Sequence, residues 1–194
     1  MPTEREWVHS IIPKFQEDLQ KILPKTRAVR VTDGSKLPYA YEVMKYQGND
    51  PDISMLSRYE TDIMISEILS EEKWIPRVII ECKLNSVTTH DAISYSKKAS
   101  THKNVHPYLR YGILMGHRKH YPLPGRLIRH GANFDFMVSW KDYEPENPEW
   151  DNLLKVVNRE VVASVQLEEI LTSSRSKSRK HYSILHRRLE LNVL

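Results

Sequence analysis

The first apolar residues of the chain recur at helical spacing. The pattern predicts an amphipathic helix over residues 4–23. Thr3 and Glu6 form the capping-box pattern that often starts such a helix. Pro13 lies inside the predicted helix, and we expect it to kink the helix or to split it in two, because proline lacks a backbone donor.

The middle of the chain carries apolar, β-branched runs that predict strands. The first two runs are joined by the polar segment 70–73, which is typical of an antiparallel hairpin. The segment after the second run suits a helix capped by Thr88 or Thr89. The predicted strands cover residues 59–69, 74–84, 110–116 and 134–140, and the predicted helix covers residues 88–100.

Residues 24–58 give a weaker pattern. We predict a short strand at residues 28–31, a turn at Asp33-Gly34 and a loop at residues 49–52. No longer element is predicted in this segment.

The C-terminal third begins with a clear helix signal. Asn147-Pro148 is typical of a helix start, and residues 149–171 carry a broad apolar stripe. We expect this helix to lie in the core, with a dimer interface as the alternative. A Ser/Arg/Lys linker at residues 172–180 and a last short helix at residues 181–191 complete the prediction.

The order of helix, strands, helix, strand, strand and helix predicts an α/β fold in which helices flank a mixed sheet. We expect one domain over residues 1–171. Residues 172–194 then form a basic linker and short helix, either within that domain or as a helical C-terminal extension.

Composition excludes several classes of protein. The chain has 194 residues, 40% of them hydrophobic and 28% charged, which is typical of a globular protein. Without a long apolar run or signal-peptide pattern, we expect a soluble, cytoplasmic protein with no membrane partner. Cys82 is the only cysteine, so disulfide frameworks and cysteine-based zinc clusters are excluded. No glycine cluster resembles a P-loop or a dinucleotide-binding turn.

Charge is unevenly distributed along the sequence. The formal net charge is +4, but residues 92–134 contain no Asp or Glu and carry eight Lys/Arg and five His. Residues 171–189 are a second acid-free basic segment. Basic stretches on an otherwise slightly acidic chain fit a surface that binds a polyanion such as nucleic acid, although a solvated basic face is an equal alternative.

Candidate chemistry lies in the predicted hairpin. If residues 78–84 form a strand, Glu81 and Lys83 share one face, while Cys82 points to the core. Asp62 precedes an apolar run on the neighbouring strand and can return beside Glu81. Two adjacent carboxylates need a hard cation such as Mg²⁺ between them, and an ammonium beside that ion suits hydrolysis of a phosphodiester.

This arrangement of Asp62, eighteen residues and then Glu81-Cys82-Lys83 resembles the signature of the PD-(D/E)XK nuclease superfamily. The resemblance covers residues 59–116 and implies a restriction-endonuclease-like fold, with the Asp on the second strand and the (D/E)XK on the third. It also implies that Asp62 and Glu81 bind the metal, that the Cys82 carbonyl is an additional ligand, and that Lys83 positions or activates the attacking water.

The sequence departs from the family pattern at Thr61, which stands where the signature has Pro. Pro51-Asp52 is a literal Pro-Asp and becomes the alternative first ligand if the register differs. Many members add a Glu from the N-terminal helix, for which Glu17 is the candidate in this chain, and Glu42 is the other option for an accessory acid. A second E-x-K at residues 71–73 lies in the predicted turn and has no strand before it.

DNA contacts are expected on two segments that follow the motif. Tyr95 and Lys98 share one face of the predicted helix and would lie over the site. The basic loop between the last two strands supplies further contacts to phosphates or guanines. Its candidates are Arg118, Lys119, Arg126 and Arg129.

The resulting hypothesis is a Mg²⁺-dependent endonuclease, with Mn²⁺ as a substitute, that cuts duplex DNA as a homodimer and is most like a type II restriction endonuclease. A Holliday-junction resolvase or repair nuclease is the alternative within the enzyme class. A non-catalytic DNA-binding module on the same scaffold is the alternative outside it.

Overall fold

A computed structural model describes residues 1–118, 123–186 and 189–191, and only the backbone of residues 53 and 54. Its elements alternate between helices and strands. In chain order they are α1 (Glu4–Ile22), β1 (Ala28–Gln47), β2 (Asp50–Ile68), β3 (Trp74–Leu84), α2 (Thr89–Val105), β4 (Arg110–Gly116), α3 (Gly125–His130), β5 (Phe136–Ser139) and α4 (Asn147–Ser173).

The five strands form one mixed sheet in the order β1-β2-β3-β4-β5. β1, β2 and β3 are antiparallel neighbours, whereas β3, β4 and β5 run parallel. The helix α2 makes the crossover from β3 to β4, as a parallel connection requires. The predicted α/β class, with a mixed sheet flanked by helices, is confirmed.

Helices cover both faces of the sheet, and alternate residues of β3 point to each. Ile80 and Cys82 belong to a core shared with α1 and α4, while Ile79 belongs to a second core shared with α2 and α3. The predicted core position of α4 is confirmed by Leu153 and Val157, which are fully buried. Glu81 and Lys83 therefore face the α2 side.

Two glutamines fix α1 against the open edge of β1. Gln16 donates to the carbonyl of Val29 at 3.0 Å and accepts from the amide of Val31 at 2.7 Å. Gln20 makes the equivalent pair with the carbonyl of Arg27 and the amide of Val29, at 2.9 and 3.0 Å. These bonds satisfy edge groups that would otherwise be available to another chain, and they set the position of α1 along the sheet.

The first helix forms as predicted, with the capping box at Thr3 and Glu6. It runs through Pro13 without a break, so the predicted split is wrong. Pro13 lies on the exposed side, and burial of Phe15 and Leu19 on the opposite side holds the helix together across the missing hydrogen bond.

The segment between α1 and the motif differs from the prediction. β1 and β2 pair from Ala28 with Ile68 as far as Gln47 with Asp50, and they form one long hairpin. The predicted turn at Asp33-Gly34 is wrong, because Gly34 lies inside β1 with a φ of 63°. Most of the loop predicted at residues 49–52 belongs to β2. The distal part of this hairpin is exposed, so it shows no alternation of apolar and polar residues.

The basic segment and the C-terminus also differ from the prediction. α3 lies within the region expected to be a loop. The last helix, predicted over residues 181–191, is absent from residues 181–186 and 189–191. Those residues are exposed, and a helix this short is marginal in water without packing. None of the helices in the described part of the chain is long and apolar enough to cross a membrane.

Candidate active site

β2 and β3 separate at the end of their paired stretch. The last pair in the register is Ile63 with Ile80. The next β3 amide that faces β2, that of Cys82, donates instead to Oδ2 of Asp62 at 2.7 Å. The Asp62 carboxylate thus accepts a bond that a strand carbonyl would otherwise take, and its side chain lies where the sheet opens.

Glu81 lies beside Asp62 on the α2 side of the sheet. The 2.7 Å bond from the amide of Cys82, the residue after Glu81, to Asp62 brings the two carboxyl groups near each other, and each affects the pKa of the other. Glu81 is only 1% exposed, and it accepts from the hydroxyl of Tyr111 and from Nζ of Lys98 at 2.8 Å. The predicted convergence of Asp62 and Glu81 is therefore present.

Both carboxyl groups are electrostatically unfavourable as anions. Burial is the main reason why the pKa values of Asp62 and Glu81 are raised. The nearby charge of Asp62 raises the pKa of Glu81 further, against the opposing effect of Lys98. Two acids in contact at a buried position take up either a proton or a cation.

Lys83 lies at the outer side of the pair. Its Nζ donates to the hydroxyl of Tyr95 at 3.3 Å and is 3.7 Å from Oε2 of Glu4. Burial lowers the pKa of Lys83, but the hydrogen bond to Tyr95 and the charges of Tyr95 and Glu4 outweigh burial and leave it raised. Lys83 is therefore an ammonium, which can orient or stabilise an anion but cannot act as a base while charged.

Lys98 is closer to the pair than Lys83. Besides its contact with Glu81, it donates to the carbonyl of Glu60 at 2.7 Å, and its side chain is only 16% exposed. The predicted α2 face of Tyr95 and Lys98 does lie over the site. Lys98 contacts Glu81 of the pair, and its predicted contact with the phosphate backbone stays a prediction.

The structure does not place either predicted accessory acid at the pair. Glu17 is exposed and pairs with Lys21 at 2.7 Å on α1, and Glu42 is exposed on the distal part of the β1–β2 hairpin. Glu4, in the first turn of α1, reaches the site instead. Its Oε2 accepts from the amide of Leu84 at 3.2 Å, and its pKa is raised, mainly by burial.

Glu4 and Asp62 line the same cleft. This cleft has a volume of about 400 Å³ and lies between the start of α1 and the β1–β2 hairpin. Its other lining residues are mostly polar or charged: Arg5, Val8, Asp33, Gly34, Glu60 and Thr61. Solvent, an ion or a phosphate can approach the carboxylate pair from this side.

The donors at the pair fit Mg²⁺ with few protein ligands. Mg²⁺ usually keeps several waters and binds one or two carboxylates, as Asp62 and Glu81 could provide. The N–H and C=O of one antiparallel strand residue point to the same side, so the Cys82 carbonyl also faces the opening. No cluster of three or more His, Cys, Asp or Glu side chains suited to a metal occurs within the described ranges.

Other candidates are separated from the pair. Asp52 lies near the tip of the hairpin, ten positions before Asp62 on β2, or roughly 33 Å along an extended strand, so it cannot replace Asp62. The second E-x-K, residues 71–73, lies in the exposed turn between β2 and β3. Cys82 is fully buried and packs in the core, as expected.

The predicted DNA-contact arginines are in different surroundings. Arg118 follows β4 and is 8% exposed, whereas Arg126 and Arg129 are exposed on α3. Lys119 lies outside the described residues. Sequence reasoning missed Glu4 and Tyr111 as neighbours of the pair. Tyr111 could have been found from the alternation of β4, since its side chain points to the same face as that of Ile113, the register partner of Glu81.

Comparison of the sequence with protein-family models and with curated proteins finds no match.

Proposed function

We propose that this chain is a metal-dependent endonuclease that hydrolyses phosphodiester bonds in duplex DNA. Its sequence pattern resembles that of the PD-(D/E)XK nucleases, most like a type II restriction endonuclease, with Thr61 in place of the signature Pro. The observation that carries the proposal is the position of Asp62 beside the Glu81-Cys82 segment where β2 and β3 separate, with the Lys83 ammonium on the same face as Glu81. The second and third strands carry these residues, in line with the family pattern.

Each residue has a role that its surroundings support. Asp62, Glu81 and the Cys82 carbonyl would hold Mg²⁺, which lowers the pKa of bound water and polarises a phosphoryl oxygen. Lys83, as an ammonium, would orient the attacking water and stabilise charge that develops on the phosphate. Lys98 holds the Glu81 carboxylate in position through its 2.8 Å contact. Glu4, which lines the cleft, lies 3.7 Å from Nζ of Lys83 and would help to position it.

The activity can be tested with supercoiled plasmid in Mg²⁺, in Mn²⁺ and in EDTA. We expect nicking and linearisation with either metal and none with EDTA. Glu81→Gln and Lys83→Met should abolish cleavage. The matched controls are Glu71→Gln and Lys73→Met in the exposed E-x-K, which should cut as the parent does. Cleavage in EDTA, or full activity of Lys83→Met, would overturn the proposal.

The products separate the alternatives. A homodimer with two active sites related by a two-fold axis would cut both strands of a symmetric sequence, and discrete fragments would result. Cleavage only of four-way junctions or damaged duplexes would assign a resolvase or a repair nuclease. Binding of DNA without cleavage in any metal would leave the non-catalytic module.

A further inference from the structure

A second cleft lies where β3 and β4 end, on the far side of Lys83 from the Asp62 opening. Its volume is about 300 Å³. Val87, Leu123 and Pro124 give it an apolar wall, and Arg118 and Arg126 border it. The carboxyl ends of parallel strands are where open α/β sheets usually bind their ligands.

Arg118 is fixed in this cleft. Its Nη1 donates to the carbonyl of Asn85 at 3.0 Å, and its backbone amide donates to the carbonyl of Trp140 at 3.1 Å. Only 8% of the residue is exposed. A guanidinium held in this way loses little conformational entropy when it binds a further group.

The chain segments that leave β3 and β4 are fixed as well. Asn85 and His117 both have left-handed backbone conformations, with φ values of 64° and 50°. Nδ1 of His117 is 2.7 Å from Oδ1 of Asn85, and the His117 ring stacks on Tyr143 at 4.0 Å. The border of the cleft near Arg118 is therefore formed in advance.

Among the described residues that line the cleft, the charged side chains are those of Arg118 and Arg126. The described residues that line it include no Asp or Glu. Burial lowers the pKa of the Arg118 guanidinium, and the charge of Arg126 lowers it further. Two guanidinium groups kept together beside an apolar wall favour an anion between them, and the planar donors of arginine match the oxygens of a phosphate.

We propose that this cleft binds a backbone phosphate of the nucleic-acid strand, next to the phosphate that is cut. The inference rests on the proposed function, because it uses Lys83 as the reference point. Asn85 lies two positions after Lys83 along the chain, which corresponds to roughly 7 Å. The rise of about 3.4 Å per nucleotide is measured along the helix axis, and successive phosphates on the winding backbone are farther apart than that, so the bound phosphate is the neighbour of the scissile phosphate.

The test measures binding without cleavage. Anisotropy of a labelled duplex is recorded in EDTA over a series of KCl concentrations for the parent, Arg126→Met, Arg118→Met and Arg118→Lys. Arg30→Met, which removes an exposed charge on β1 opposite Ser66, is the control. Loss of one phosphate contact should make the slope of log Kobs against log salt shallower by about 0.9.

We expect that shallower slope, with affinity about tenfold weaker at 0.1 M salt, for Arg126→Met and Arg118→Met. Arg118→Lys should keep the slope because it keeps the charge. A neutral methylphosphonate at the phosphate next to the cut should weaken binding of the parent but not of Arg118→Met. Slopes equal to that of Arg30→Met for both methionine variants, or a parent that binds no DNA, would overturn the inference.

The two proposals fail separately. A parent that binds DNA with the expected slopes but cuts nothing in Mg²⁺ would refute the nuclease and leave the phosphate site. A parent that cuts DNA while the methionine variants keep its salt slope would refute the phosphate site alone. Arg126 is exposed, so its variant should fold even if the Arg118 variants do not.

Discussion

Carboxylates at the two ends of the paired stretch of β2 and β3 have different partners. Near the turn, Glu67 accepts from Nε of Arg77 at 2.7 Å and from Arg27. At the other end, Asp62 meets a second carboxylate, Glu81. Both ends belong to the same hairpin. The difference in their charged partners therefore arises from the side chains and not from the backbone.

The comparison separates carboxylates that are paired with arginines from the pair at which we propose that a cation binds. A second network at the far side of the sheet is also balanced, with Arg110 between Glu160 and Asp135, the latter at 2.9 Å. At the Asp62–Glu81 end, two neighbouring acids both have raised pKa values, and the charge of Asp62 contributes to the raised pKa of Glu81. This pair is the reason why we propose a bound cation there.

The largest expected effect is on cleavage. Asp62→Asn removes a metal ligand but keeps an oxygen that can accept from the Cys82 amide, so we expect the rate of plasmid cleavage to fall by about 10³-fold or more. Glu67→Gln should leave the rate per folded molecule within about twofold of the parent. A gel assay under single-turnover conditions measures both, and equal losses would mean that the two ends do not differ in function.

The free energy of unfolding should respond to Glu67→Gln, the substitution that leaves cleavage nearly unchanged. Glu67→Gln leaves Arg77, which is 3% exposed, with a weakened set of partners. Removing one partner of a buried ion pair typically costs about 3 kcal/mol. Urea unfolding at neutral pH measures this loss, with Glu71→Gln in the exposed turn as the control. A loss below about 1 kcal/mol would show that the Glu67 network contributes little.

The bounds of two central strands and the position of Asp62 beside Glu81 could be predicted from the sequence. The bounds of β3 and β4 match the prediction because both strands are nearly continuous apolar runs buried on both faces. The proximity of Asp62 and Glu81 could be predicted from the same runs, since the turn between the two strands sets their register.

The rest depends on tertiary contacts that leave no local pattern. Glu4 reaches Leu84 because Gln16 and Gln20 fix α1 along the edge of β1, and no spacing in the sequence reports that alignment. The β1–β2 hairpin was missed because its distal residues are exposed, so no apolar alternation marks them. The contact of Lys98 with Glu81 could not be predicted, because the sequence does not show which buried carboxylate a helix will reach.

Metal binding should raise the free energy of unfolding only in proteins that keep Asp62. With Mg²⁺ at ten times its Kd, the parent should gain about 1.4 kcal/mol, or roughly 4 °C in Tm for a chain of this size. Glu67→Gln should gain the same amount from its lower starting point. Asp62→Asn should gain almost nothing, and thermal unfolding with and without EDTA measures all three. An equal gain in Asp62→Asn would place the ion elsewhere.

The smallest expected effect is the pH dependence of stability that Asp62 and Glu81 cause in the absence of metal. The folded pKa of Asp62 is raised above that of the unfolded chain, so folding favours the protonated acid. In the window between the two pKa values the folded state binds more protons, and the stability of the parent falls as pH rises through it. Below the ordinary pKa of 3.8 both states are protonated and this loss is absent.

Asp62→Asn removes the titration and should therefore be more stable than the parent in EDTA at pH 8, by about 1 kcal/mol, the usual scale of a single substitution. The difference should disappear as pH falls to about 4. Glu67→Gln should be less stable than the parent at pH 8, because Glu67 faces guanidinium groups and not another acid. Urea unfolding of the three proteins at several pH values measures this difference. If Asp62→Asn were destabilised at pH 8, the carboxylate pair would be a stabilising feature of the fold, and the reason for placing a cation there would be lost.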